Sequence, residues 1–314
     1  MNVDVGLVAG SVSSLLVVML VGVISRISGV LNRETTKKLS SFLVLVLQPC
    51  LIVSSMQLEY TPELLADGFG VMLASLLLHA GAAFVAVFAY RRCPDRERRI
   101  YKVATVFGNC GFLGFPVLET IYGPTGLFYG ACYVFVFNIL MFSYGVYVYI
   151  RGTSAKLNLR RVFLNVGTVS SAIGFLLFIM KISLPAAIGS ALEMVGDMTF
   201  PTSMIVIGAL ACEKGYKKLF SAPPVYCYAL IKLMMLPVLT LMFCLVFRVS
   251  SDITYLCVTM TAVPGATAAA TFADIYGGDS RLAAKLVGFS TVLSVLTIPL
   301  MLQLTDWVYS LAGL

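Results

Sequence analysis

GNCGFLGFP, residues 108–116, interrupts an apolar segment of about residues 100–121 that is long enough to cross a lipid bilayer. Three glycines, a proline and an asparagine disfavour a regular helix here, because glycine costs about 1 kcal/mol and proline about 3 kcal/mol relative to alanine. In hydrocarbon, an interrupted backbone is tolerated only where protein or a water-filled cavity satisfies its polar groups. The stretch therefore predicts a broken membrane helix, a common location for a substrate or ion site.

A second interruption, TMTAVPGAT at residues 259–267, divides a later apolar run. Both runs end in an Ile-Tyr-Gly triplet, and aligning the triplets that finish at Gly123 and Gly277 gives an offset of 154 residues. The same offset places Gly111 on Gly265, so the two interruptions coincide. This correspondence predicts two related halves.

The composition indicates an all-α polytopic membrane protein. Of the 314 residues, 59% are hydrophobic and 12% are charged, about half the charge of a typical soluble domain. The eight cysteines show neither CxxC nor Cys/His metal spacing, so neither a metal nor another cofactor is expected. The basic residues behind the net charge of +7 are distributed as in the loops of a membrane protein, so nucleic acid is not an expected partner.

Ten membrane segments are predicted, at about residues 5–25, 39–58, 69–90, 100–121, 126–150, 162–180, 196–212, 224–247, 252–273 and 282–304. Nineteen of the 22 lysines and arginines lie on the connections that follow odd-numbered segments. By the positive-inside rule, these connections are cytoplasmic. The chain is therefore expected to be a multi-pass protein of the cytoplasmic membrane with both termini extracytoplasmic.

Five segments in each half, within residues 1–150 and 162–314, make the second half an inverted copy of the first. The broken segments four and nine then run in opposite directions and are expected to cross at the midplane. The second half of each broken helix would begin there with free N–H groups and the positive end of a helix dipole. Such a crossing suits an anion.

Eight short motifs extend over nearly the whole chain. They are residues 48–51 (QPCL), 108–116 (GNCGFLGFP), 199–201 (TFP), 207–209 (IGA), 262–266 (AVPGA), 272–279 (FADIYGGD), 290–291 (ST) and 297–300 (TIPL). Together they resemble the auxin efflux carrier family of membrane transport proteins, which includes bacterial carboxylate permeases and plant auxin carriers. The plant carriers have Asn-Pro-Asn-Thr-Tyr where this chain has NCGFL, residues 109–113, so Asn109 is retained and the proline and second asparagine are absent.

The resemblance implies a homodimeric secondary transporter for a small organic anion, a carboxylate, with auxin-like compounds and dicarboxylates among the candidates. Segments one, two, six and seven (about 5–58 and 162–212) would form a scaffold. Segments three to five and eight to ten (about 69–150 and 224–304) would form a transport domain that moves like an elevator. A receptor or sensor that binds a carboxylate without turnover is the alternative. An enzyme is not expected, because the chain has neither paired intramembrane aspartates nor HExxH.

The predicted substrate-binding residues are those at the two breaks: Asn109, Cys110, Gly111, Phe112, Val263, Pro264, Gly265, Ala266 and Thr267. Asn109 either caps freed backbone groups or contacts the substrate directly.

Three further polar residues in apolar segments are predicted to support the site or couple it to an ion. His79 either carries a coupling proton or packs as a neutral, hydrogen-bonded side chain. Asn138 either binds substrate or ties helices together. Lys232 either snorkels to the cytoplasmic interface or attracts a carboxylate.

Overall fold

The computed structural model describes residues 5–151, 157–212 and 223–312, which form helices and contain no β-strand. The helices, numbered in chain order with a and b for halves separated by a break, are α1 Val5–Ile27, α2 Arg33–Ser55, α3 Pro62–Ala89, α4a Asp95–Val106, α4b Cys110–Tyr122, α5 Pro124–Ile150, α6 Val166–Ile179, α7 Ala186–Ala211, α8 Pro224–Val246, α9a Ser251–Ala262, α9b Ala268–Ile275 and α10 Ser280–Ala312. A short helix, Leu159–Phe163, precedes α6. The predicted loop residues Lys156, Lys214, Lys217 and Lys218 and both termini lie outside the described residues.

Seven helices of the described residues are long and apolar enough to cross a bilayer: α1, α2, α3, α5, α7, α8 and α10. The helices α4b and α6 are apolar but shorter. The prediction of an all-α polytopic membrane protein is confirmed. The ten-segment inverted repeat remains a prediction.

Two helix boundaries differ from those predicted. Segment seven was expected at about residues 196–212, but α7 begins at Ala186, and its two helical pieces meet at Met198. The extra turns contain Gly189, Ser190 and Glu193, which lower the apparent hydropathy of that stretch. The helix α4a begins at Asp95, so Arg96, Arg98, Arg99 and Lys102, which were expected in a loop, lie on its first turns.

A π-helical turn ends two residues before a proline in three helices. The pairs are Leu43–Leu47 before Pro49, Cys110–Gly114 before Pro116, and Ile231–Met235 before Pro237. Proline lacks a backbone N–H and its ring clashes with the carbonyl four residues earlier, which favours a wider turn just ahead of it. These turns change the direction of the side chains near the centre of the molecule.

The buried apolar residues form two clusters, and the breaks divide them. The first cluster contains buried residues of α4b and α9a, together with residues from α1, α2, α3, α5, α6, α7, α8 and α10. The second takes α4a and α9b, and its other buried helical residues come from α3, α5, α8 and α10. Each broken helix therefore passes from one cluster to the other at its break.

The helices α1 and α7 meet through glycines. A β-carbon at Gly22 would clash with the backbone of Ile205, and one at Gly208 would clash with the carbonyl of Met19. Close backbone approach of this kind is the usual way in which membrane helices gain packing contacts. The pair forms a continuous contact within the first cluster.

Candidate functional site

The two interruptions meet as a pair of short extended segments. Gly108 and Gly265 form an isolated antiparallel bridge. Asn109 N donates to Pro264 O at 2.7 Å, and Ala266 N donates to Phe107 O at 2.9 Å. The backbone polar groups released by each break are thus partly satisfied by the other break, as the bilayer interior requires.

Glycine is required where the two segments touch. A β-carbon at Gly108 would lie 2.7 Å from Val263 Cγ2 and 3.0 Å from Lys232 Nζ. One at Gly265 would clash with the Tyr228 hydroxyl and lie 3.3 Å from Ala104 O. The crossing therefore excludes side chains at these two positions.

The second break has its first donors occupied by the protein. Gly265 N donates to Ser290 Oγ at 3.2 Å, and Ala266 N is bonded to Phe107. Ser290 is itself anchored on α10, where its hydroxyl bonds the Leu286 carbonyl at 2.8 Å. The second break is therefore held both by α10 and by the first break.

At the first break, fewer backbone donors are occupied than at the second break, and one residue is partly exposed. In α4b the earliest backbone bonds run from Leu113 N and Gly114 N to Asn109 O, at 3.1 and 3.2 Å. The N–H groups of Gly111 and Phe112 precede these bonds and so have no partner within the helix. Gly111 is partly exposed, whereas its neighbours from Phe107 to Leu118 are buried.

A side chain from α2 faces this opening. A β-carbon at Gly111 would lie 2.9 Å from Gln48 Nε2, so the amide of Gln48 lies against the start of α4b. Gln48 follows directly on the π turn of α2. The open face of the first break is thus bordered by a polar group of a different helix.

Asn109 is 3% exposed, and its Nδ2 has no hydrogen-bond partner among the described residues. Although it occupies the N-cap position of α4b, its side chain makes no capping bond. The capping interpretation of this residue is therefore wrong. The amide is a buried donor that remains available at the crossing.

Lys232 lies at the crossing. The residue is 2% exposed, and its Nζ donates to the Thr261 carbonyl at 3.4 Å. The snorkelling interpretation is therefore wrong, because the π turn Ile231–Met235 lies at this point of α8 and the side chain lies inward. No carboxylate of the described residues forms an ion pair with it.

The other predicted residues occupy varied positions. Cys110 is buried and its Sγ donates weakly to Met260 O at 3.8 Å, and the side chains of Phe112 and Val263 lie in the first cluster. Ala266 belongs to the second cluster. Thr267 is partly exposed and lines a small cavity of about 20 Å³ between α7, α9b and α10.

His79 contacts the crossing indirectly, through the ring of Phe107. Its Nδ1 lies 2.7 Å from the Ser75 carbonyl oxygen and therefore carries a proton that it donates. Its ring packs against Phe107, which belongs to the first break, and against Tyr133, at centroid distances of 5.5 and 5.4 Å. The histidine is thus hydrogen-bonded and enclosed, and it contacts the break through an aromatic ring.

Asn138 faces α6 and is not brought to the crossing by any contact of the described residues. A β-carbon at Gly167 would lie 2.6 Å from Asn138 Nδ2, and this nitrogen has no partner among the described residues. This nitrogen packs against the neighbouring helix without a hydrogen bond to the described residues.

The sequence alone did not predict three residues of the site. Gln48 and Ser290 belong to motifs that pointed to the family resemblance, so a signal for them was present. Tyr228, whose hydroxyl lies 3.4 Å from both Ala104 O and Ser290 Oγ, carried no such signal. Its position depends on how α8 packs against α4a and α10.

A family model described as membrane transport protein matches residues 7–302 of the chain. The match includes both breaks and Lys232. No curated protein matches the chain.

Proposed function

Because the chain belongs to the auxin efflux carrier family of membrane transport proteins, we propose that it is a secondary transporter for a small organic anion bearing a carboxylate. Transport through a multi-pass membrane protein follows from the family. The choice of an anion follows from the chemistry of the crossing.

The observation that carries this proposal is the buried Lys232 amine beside Gly108. A buried ammonium without a counter-charge costs several kcal/mol, whereas a bound carboxylate would supply that counter-charge. The unpartnered Asn109 amide and the N–H groups of Gly111 and Phe112 are further donors on the same break. The site would bind a carboxylate by charge-assisted hydrogen bonds.

The second apolar cluster supports a transport domain of the kind that an elevator mechanism needs. Helices α3, α4a, α5, α8, α9b and α10 supply the buried helical residues of the second cluster, and they are the helices of the proposed transport domain. The proposed scaffold helices α1, α2, α6 and α7 contribute only to the first cluster, where they pack with residues of α3, α5, α8 and α10. The transport domain would carry the crossing past Gln48 of the scaffold, and the scaffold helices would form a homodimer.

Uptake of labelled carboxylates into proteoliposomes tests transport directly. Acetate, benzoate, malonate and indole-3-acetate serve as probes, with Lys232→Met as the inactive comparison. Ligand-dependent thermal stabilisation reports binding separately. Stabilisation by a carboxylate without any uptake would instead assign a sensor.

The orientation requires its own experiment. Reporter fusions at Met1 and Leu314 are expected to be extracytoplasmic because of the distribution of lysine and arginine. A cytoplasmic reporter at either end would contradict the ten-segment topology without affecting the anion site.

A further inference from the structure

The Lys232 amine is surrounded by few hydrogen-bond acceptors and by no full negative charge among the described residues. An ammonium group offers three donors, and the described residues supply one acceptor, the Thr261 carbonyl at 3.4 Å. That carbonyl belongs to the last turn of α9a, where the helix dipole amounts to about half an elementary negative charge. A partial charge of this size does not balance a full positive charge.

Few titratable side chains of the described residues lie near the Lys232 amine. The titratable side chains within electrostatic reach of the Lys232 amine are Cys110 on α4b and His79 on α3. The helices α9a and α10, which also pack against this turn of α8, add no titratable side chain to that set within the described residues. The Cys110 thiol is buried and donates to Met260 O, so it is held as a neutral thiol.

We propose that Lys232 releases its proton when the site is empty and takes up one proton when a carboxylate binds, so that the substrate crosses as an anion–proton pair. This inference rests on the proposed anion transport. Binding converts the neutral amine, a proton from solution and the carboxylate into an ammonium–carboxylate pair. On the opposite side, the pair dissociates and both the anion and the proton leave.

The balance of charge specifies a substrate class. One ammonium neutralises one carboxylate, so a monocarboxylate would be transported without net charge movement. A dicarboxylate would carry one uncompensated negative charge through the apolar core, which is strongly unfavourable. The site is therefore expected to prefer monoanions such as acetate, benzoate or indole-3-acetate over malonate.

The test measures the affinity of purified full-length protein for these four probes between about pH 6 and pH 10. The three monocarboxylate probes remain ionised across this range, so a change in their affinity reports protein groups. Linkage predicts that affinity weakens tenfold per pH unit once the empty site is neutral. An amine that stayed protonated would leave the affinity flat to about pH 10. Lys232→Arg, which stays charged, should bind with a flat profile.

The controls separate Lys232 from its neighbours. His79→Gln and Cys110→Ser should keep the tenfold slope whatever their affinity, and loss of the slope in either would overturn the assignment to Lys232. If Lys232→Arg does not fold, a pH indicator in weakly buffered solution gives the same answer. Wild type should take up about one proton per bound monocarboxylate on the alkaline side of the transition.

The outcomes distinguish the two proposals. Carboxylate binding with a flat profile and no proton uptake would overturn the proton inference and leave anion transport intact. Absence of binding by any probe at every pH would overturn both.

Discussion

The two breaks pair as similar extended segments, but the protein occupies more of the hydrogen-bond donors at the second break than at the first. At the second break, Gly265 N is bonded to Ser290, Ala266 N is bonded to Phe107, and Tyr228 fills the space beside Gly265. At the first break, Asn109 keeps an unpartnered amide, and the first turn of α4b faces a side chain of α2. From this comparison we propose that the second break is the structural support and the first break is the binding element.

The largest effect is expected for Lys232, which lies between the two breaks. Lys232→Met removes the only cation at the crossing among the described residues, so carboxylate affinity should fall more than about 100-fold, or about 3 kcal/mol. Titration of the purified protein measures this loss. Lys181→Met is the matched control, because Lys181 is exposed and lies over the Tyr60 ring, and it should bind like wild type.

Bulk at the two equivalent glycines should separate binding from stability. Gly111→Val places its side chain against the flexible end of Gln48, so binding should be lost while the fold survives. Gly265→Val clashes with Tyr228 and the Ala104 carbonyl, so it should destabilise the fold by about 1–3 kcal/mol.

Thermal unfolding and ligand titration of both valine variants check this contrast. A stable Gly111→Val protein with wild-type affinity would move the site away from the first break. A Gly265→Val protein as stable as wild type would contradict the supporting role of the second break.

A smaller effect is expected for Asn109→Ala. Loss of a hydrogen bond to a charged ligand costs about 1.5–3 kcal/mol, so affinity should fall about 10- to 150-fold. Stability should not change, because the side-chain nitrogen has no partner in the described protein. An unchanged affinity would show that the amide does not face the ligand.

The smallest effect on binding is expected for Ser290→Ala. The change leaves the buried Gly265 N–H without its acceptor and should lower stability by about 1–3 kcal/mol. Affinity should change less than in Asn109→Ala, as isothermal titration would report. A larger loss of affinity than stability would make the second break part of the binding element.

Local composition predicted the breaks, because glycine and proline act on the backbone where they stand. It therefore located Gly108 and Pro264 correctly. It did not predict that Lys232 is enclosed, since the direction of a helical side chain depends on the turn that carries it. The Ser290 bond to Gly265 was also beyond local reasoning, because it joins residues on separate helices. Asn109 was identified as polar at a break, yet the absence of a capping bond required the structure.

The π turns ahead of Pro49, Pro116 and Pro237 have a geometric consequence for changes in chain length. Each such turn accommodates one residue more than an ordinary turn, and one residue corresponds to a rotation of about 100° around the helix axis. Removing a single residue from Ile231–Met235 would rotate the two halves of α8 against each other, even if every remaining side chain were unchanged. The direction of the amine is therefore encoded by a residue count as well as by residue identity.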